Sequence, residues 1–183
     1  MDTSHQYDLA VGSAKDIFLK KTVDYGTSWR VLRTISVVDQ IYIKAKRIRN
    51  IQELSTQMIG DDIRSEFIGI LNYSIIGLIQ LDLVKEEVED LAVKTVEALY
   101  DERVDAAKAL MQAKNHDYGE AWRDMSQQSF TDLILTKLLR IKQILQNKGV
   151  TIASEGIPAN YFDIINYSIF ALILIAEGKH SVQ

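Results

Sequence analysis

A chain of 183 residues, 47% hydrophobic and 25% charged, is long enough to bury a core unaided; having no cysteine, it holds no disulfide and no thiolate metal site. Its formal net charge of -4 argues against a duplex nucleic-acid surface, which needs a basic excess. Free nucleotides stay open, since a few local cations suffice for them, and the cysteine-free composition suits a reducing, cytoplasmic setting.

The first twelve residues lack the basic start and apolar stretch of a signal peptide. One proline, plentiful Leu, Ile, Ala, Lys, Glu and Gln, and long stretches at helical spacing predict an all-α fold. The first helix is expected to stop at Asp24-Tyr25-Gly26, where the glycine can take a left-handed conformation. A short Trp29-Arg30 connection follows. Ser36-x-x-Asp39 then reads as an N-cap opening a second helix that runs to about Glu53. A loop with Gly60 leads into a third helix, from about Asp61 to Leu83, apolar nearly all round and so expected in the middle of a bundle.

A linking helical pattern runs from about Lys85 to Lys114, with Val88, Leu91, Ala92, Leu99, Ala106, Ala107 and Leu110 mostly on one face. The acidic run Lys85 to Asp90 reads as a solvated face. The succession then recurs: a stop at Asp117-Tyr118-Gly119, a Trp122-Arg123 connection, a Ser129-x-x-Asp132 cap, and a helix to about Asn147. Gly149 and Gly156-Ile157-Pro158 lead into a last helix from about Ala159 to Glu177, with Pro158 in its first turn. Its stretch Ile164 to Ala176 is interrupted by Asn166 and Ser168 and falls short of the ~20 residues a membrane span requires, so it predicts a core helix and no membrane.

The recurrence is an internal duplication. At an offset of 93 residues, Lys21 meets Lys114, Asp24-Tyr25-Gly26 meets Asp117-Tyr118-Gly119, and the chain's two tryptophans meet. Ser36, Asp39, Lys44 and Arg47-Ile48 also find their counterparts; at an offset of 94, Asn72-Tyr73-Ser74-Ile75 meets Asn166-Tyr167-Ser168-Ile169. The expected product is a helical bundle from a tandem duplication of a three-helix unit with pseudo-two-fold symmetry. Residues 1–84 form a first, degenerate repeat; residues 85–183 form the linking helix and second repeat, packed with the first as one domain.

Lys44 and Arg47, like Lys137 and Arg140, are spaced to share a helix face. Asp163, Asn166 and Tyr167 share a face of the apolar last helix, where polar groups are costly without partners. Asp163 paired with Lys137 or Arg140 is one reading. In the first repeat Gly69 stands at the position of Asp163, yet Lys44 and Arg47 remain. They turn to Asp39, Asp62 or Glu66, or are simply exposed, or answer an anion outside the chain such as phosphate. Tyr118 and Trp122 either plug the gap between helices or stack a base beside Arg123. Carboxylates for Mg²⁺ would be Glu155 and Asp163, joined by Asp117, in the second repeat, and Asp24, Asp61 or Asp62, and Glu66 in the first. His5, His116 and His180 are not at ligand spacing, and there is no P-loop or dinucleotide fingerprint.

The segment Lys114-Asn115-His116-Asp117-Tyr118-Gly119-x-x-Trp122, with Asp132-x-x-x-x-Lys137-x-x-Arg140-Ile141 and Asp163-Ile164-Ile165-Asn166-Tyr167, resembles the nucleotide modification associated domain 1 family. The resemblance covers most of the second half closely and the first half in degenerate form, and it implies a nucleotide-linked role. More distantly, the arrangement is similar to the all-α, MazG-like nucleoside triphosphate pyrophosphatases, whose paired acidic motifs hold Mg²⁺ over phosphates. The chain departs from them, with Asn160-x-x-Asp163 on the third helix and Lys137 and Arg140 where a second acidic pair would stand.

The function expected is nucleotide binding or processing. Lys137, Arg140 and Arg123, with Lys44 and Arg47 in the first repeat, would take phosphate, and Lys114 is a further substrate-binding candidate. Asp117, Tyr118, Trp122, Asn166 and Tyr167 would shape the base pocket. In a hydrolytic version, Asp163 and Glu155 would hold Mg²⁺ as metal ligands and catalytic residues. The alternative is a non-catalytic helical scaffold or oligomerisation module, and a homodimer is open on either reading.

Overall fold

The structure, a computed structural model, describes residues 2–54, 60, 62–83 and 90–182. Helix α1 (Thr3–Tyr25), a 3-10 turn (Ser28–Val31), α2 (Thr34–Leu54) and α3 (Ile63–Asp82) form the first copy. The second comprises α4 (Val93–Tyr118), a 3-10 turn (Ala121–Asp124), α5 (Gln127–Gln146) and α6 (Ile157–Ala176). Among the described residues there is no strand.

The stops fall at the expected glycines, Gly26 ending α1 at φ 67° and Gly119 ending α4 at φ 60°, but with ψ at -154° and 113° both are more extended than a left-handed helical cap. Two local expectations are corrected. Ser36 and Ser129 do not cap, because each second helix opens earlier. Ser126 is the N-cap of α5, its hydroxyl accepting the Ser129 N–H at 3.1 Å. In α2 the Arg33 carbonyl takes the N–H groups of Ser36 and Val37.

The linking helix begins at Val93, with Ala92 still extended, and it is rotated from the predicted face. Its buried stripe is Val96, Tyr100, Val104, Ala107 and Met111. Leu91, Leu99 and Leu110 are only half-buried and Ala92 and Ala106 are exposed. Residues 85–89 and Asp61 lie outside the described residues. Asp90 is exposed, as expected, and it also accepts the Thr27 N–H at 3.0 Å and the Thr27 hydroxyl at 3.1 Å, pinning the end of α1.

Helices α3 and α6 pack on each other at the centre, with α2 and α5 against them and α1 and α4 outside. Among the described residues, α6 is the one helix long and apolar enough to cross a membrane, but 78% of its apolar window is buried inside the bundle, as a core helix requires. The two central helices meet at Gly77, where a Cβ would stand 2.5 Å from the Tyr161 ring. Tyr161 is fully buried and cannot retreat, so Gly77→Ala is expected to destabilise by about 1–3 kcal/mol despite alanine's better helix propensity, read as a lower urea midpoint.

Hydrogen bonds across the core run reciprocally between the copies. The Tyr7 hydroxyl donates to Asn166 Oδ1 at 2.9 Å, and the Tyr100 hydroxyl to Asn72 Oδ1 at 2.8 Å. The other ends of these amides return to their own copies, Asn72 Nδ2 to the Ala14 carbonyl and Asn166 Nδ2 to the Ala107 carbonyl, both at 3.1 Å. Burial pushes both tyrosine hydroxyls above the ordinary value, so they stay donors. Each copy's first helix is thereby tied to the other copy's third.

Candidate functional site

The recurring polar side chains gather at two places, one per copy. In the second copy Asp163, on α6, lies between Lys114 of α4 and Lys137 of α5. Lys114 Nζ is 2.8 Å from Oδ1 and Lys137 Nζ 2.6 Å from Oδ2. Asp163 and Lys137 are largely buried, whereas Lys114 is half-exposed. Burial works against the Asp163 charge, but the bonds from Lys114 and Lys137 outweigh it and hold the carboxyl below the usual range. Lys114 shows the mirror effect: burial opposes its charge, and Asp163 carries its pKa above the ordinary value. Tyr167 stands half-buried nearby, its hydroxyl pushed up first by burial and then by the Asp163 charge.

The other residues expected at that site are spread out. Asp117 and Tyr118 stand exposed at the end of α4, with Asp117 beside His116. Trp122 stacks on Phe170, ring centroids 4.2 Å apart, and its indole N–H donates to Asn115. Arg123 lies over the Trp122 ring and donates to Glu120, Glu177, Thr3 and Gln6, joining the second 3-10 turn to the N-terminus of α1. Asn166, assigned by sequence to a base pocket, is buried with both ends of its amide used inside the bundle. Arg140 is exposed and forms no hydrogen bond or ion pair among the described residues.

Glu155 sits exposed on the loop before α6, near enough to Lys114 to be felt as charge. This donor set does not fit a resident Mg²⁺: the buried carboxylate already holds an ammonium on each oxygen, and a divalent cation there would meet two like charges. Among the described residues no three His, Asp or Glu side chains converge as metal ligands.

In the first copy the cations turn to Glu66, one of the carboxylates the sequence leaves open. Arg47 bonds it directly, and Lys44 approaches at 3.5 Å. Glu66 occupies the place of Asn160, so the two copies carry their inward carboxylate one helical turn apart, Glu66-x-x-Gly69 against Asn160-x-x-Asp163. Where Asp163 fills the place between two lysines in the second copy, the first has a cavity of about 530 Å³. Lys21, Tyr25 and the 3-10 turn form one wall; Lys44, Arg64, Glu66, Gly69 and Tyr73 form the other.

Two differences in side-chain size account for the opening. Gly69 replaces Asp163, and Ile76 stands where Phe170 stacks on Trp122. Neither Lys21 nor Arg64, both exposed, forms a hydrogen bond or ion pair among the described residues. Sequence reasoning missed Lys21 and Arg64 as site residues. The signal for Lys21 was present in its match to Lys114, but Arg64 faces Pro158 across the duplication and has none.

Searches among curated proteins and among solved structures return no match to this chain. The model of the family described as nucleotide modification associated domain 1 matches it twice, over residues 21–81 and 114–175. Each match begins at the lysine that faces its copy's third helix, and the two together cover most of the chain. The chain belongs to the nucleotide modification associated domain 1 family and carries that domain in two tandem copies.

Proposed function

We propose that this is a nucleotide-binding protein and that its ligand occupies the cavity of the first copy. One observation carries the proposal: a cavity of about 530 Å³, in the range of small-molecule sites, with Lys21, Lys44 and Arg64 on its walls against one carboxylate among the described residues, Glu66, that Arg47 already neutralises. A site with that balance selects an anion, and phosphate is the anion that lysine and arginine serve best. Tyr25, Trp29 and Tyr73 supply aromatic surface for a flat base. The family's description, with its nucleotide association, points the same way.

Calorimetric titration with nucleoside mono-, di- and triphosphates, each with and without Mg²⁺, tests the proposal, and phosphate release in the same samples reports any processing. At least one nucleotide is expected to bind. Lys21→Met is expected to weaken it roughly tenfold or more, the effect of losing one charge-assisted hydrogen bond, with the melting temperature unchanged because Lys21 is exposed. Absence of binding by every nucleotide would sink the proposal. The scaffold reading would then stand, supported by the ion pairs that Lys44, Arg47 and Lys137 make with Glu66 and Asp163.

A further inference from the structure

The second copy shows what the first one lacks. Asp163 is closed upon by Lys114 and Lys137 from two helices, one ammonium on each carboxylate oxygen, at 2.8 and 2.6 Å. At the matching positions of the first copy stand Lys21, Lys44 and Gly69. Lys44 lies across the glycine, its Cε and Cδ 2.8 and 2.9 Å and its Nζ 3.2 Å from where a Cβ on Gly69 would be, so its flexible end swings aside for anything seated there; its contact with Glu66 at 3.5 Å is loose. Lys21 has no bonded partner among the described residues, and all three positions line the cavity.

We infer that the two copies hold the same anion seat in two states, closed in the second by the chain's own carboxylate and open in the first. A ligand's phosphate group sits beside Gly69 between Lys21 and Lys44, where the Asp163 carboxylate sits between Lys114 and Lys137. Each chain therefore has one seat to offer. Lys21 has no carboxylate partner among the described residues and Lys44 only the loose one, so an entering dianion meets two ammonium groups whose charge is incompletely answered. The inference rests on the proposed ligand cavity but needs only the phosphate part of the ligand.

Calorimetry of the full chain with inorganic pyrophosphate is the direct test. The expected result is one pyrophosphate per chain. Gly69→Asp supplies the missing carboxylate, so it is expected to weaken pyrophosphate roughly tenfold or more and to raise the melting temperature. Gly69→Asn, of the same size without the charge, should not raise it. Asp163→Gly is expected to melt lower and to recover on adding pyrophosphate by more than the wild type gains. No pyrophosphate binding by the wild type, or undiminished binding by Gly69→Asp, overturns the inference. Should Gly69→Asp fail to fold, Lys21→Met decides, and unchanged pyrophosphate binding by that variant overturns the inference as well. Nucleotides binding equally well to wild type and Gly69→Asp would spare the nucleotide proposal and refute the seat; pyrophosphate binding with no nucleotide binding does the reverse.

Discussion

Asp163→Asn is expected to destabilise the protein by about 2–3 kcal/mol, because it removes the carboxylate from between two ammonium groups and leaves Lys137 largely buried with no counter-charge. The figure lies at the low end for breaking a buried pair because Lys114, with its side chain 48% exposed, can turn into water. Chemical denaturation at neutral pH measures it.

The same variant should reshape the acid limb of the stability profile. Folding lowers the Asp163 pKa, so its contribution is complete above the ordinary aspartate value of about 4 and disappears as pH falls through the lower folded value. The wild type should lose stability through that window and Asp163→Asn should lose less. A limb remains in the variant, because Glu120 is also depressed, by the Thr3 hydroxyl and then Arg123, and Glu177 by Gln6 and then Lys179. Parallel acid limbs for the two proteins would contradict the assignment.

Truncation of Tyr7 is expected to have the largest effect of any single substitution considered. Its side chain is fully buried, and its hydroxyl supplies the donor for Asn166 Oδ1. Tyr7→Ala combines a core cavity with an orphaned amide oxygen, for about 3–5 kcal/mol. Tyr7→Phe keeps the ring and isolates the polar part at about 1–3 kcal/mol. Tyr100→Phe should cost a similar amount, since its bond to Asn72 has the same geometry and burial. Urea midpoints of the three variants measure this, and a near-neutral Tyr7→Phe would show that the hydroxyl bond contributes little.

Much of the architecture was legible because it was written twice. A glycine after Asp-Tyr in both halves predicts the same stop, and both glycines end their helices at positive φ. The nearly all-round apolar character of α3 and α6 predicts their central place, which they hold. What escaped was rotation and size. The linking helix carries apolar residues on two sides, and composition cannot choose between them; Tyr100 does, by reaching Asn72. Its match to Tyr7 at the offset of 93 was the readable clue to that bond.

The site was legible as a set of residue types and not as a space. Lys44, Arg47, Lys137 and Asp163 are engaged in ion pairs as charge alone suggests. Which half is hollow depends on pairs such as Ile76 against Phe170 and Gly69 against Asp163, whose significance appears only once the helices are packed. Asn166 recurred because a buried amide ties two helices together, and recurrence by itself does not separate that role from ligand contact.

The reciprocal ties between copies also govern when the protein can fold. Tyr7 waits for Asn166, 159 residues downstream, and the N–H of Ile63 at the start of α3 waits for the carbonyl of Val182. During synthesis α3 can pack on α1 and α2, which precede it, but the face it turns to α6 has no partner until the second copy follows. The core between α3 and α6 is therefore completed only after both copies have been made, however early the local helices form.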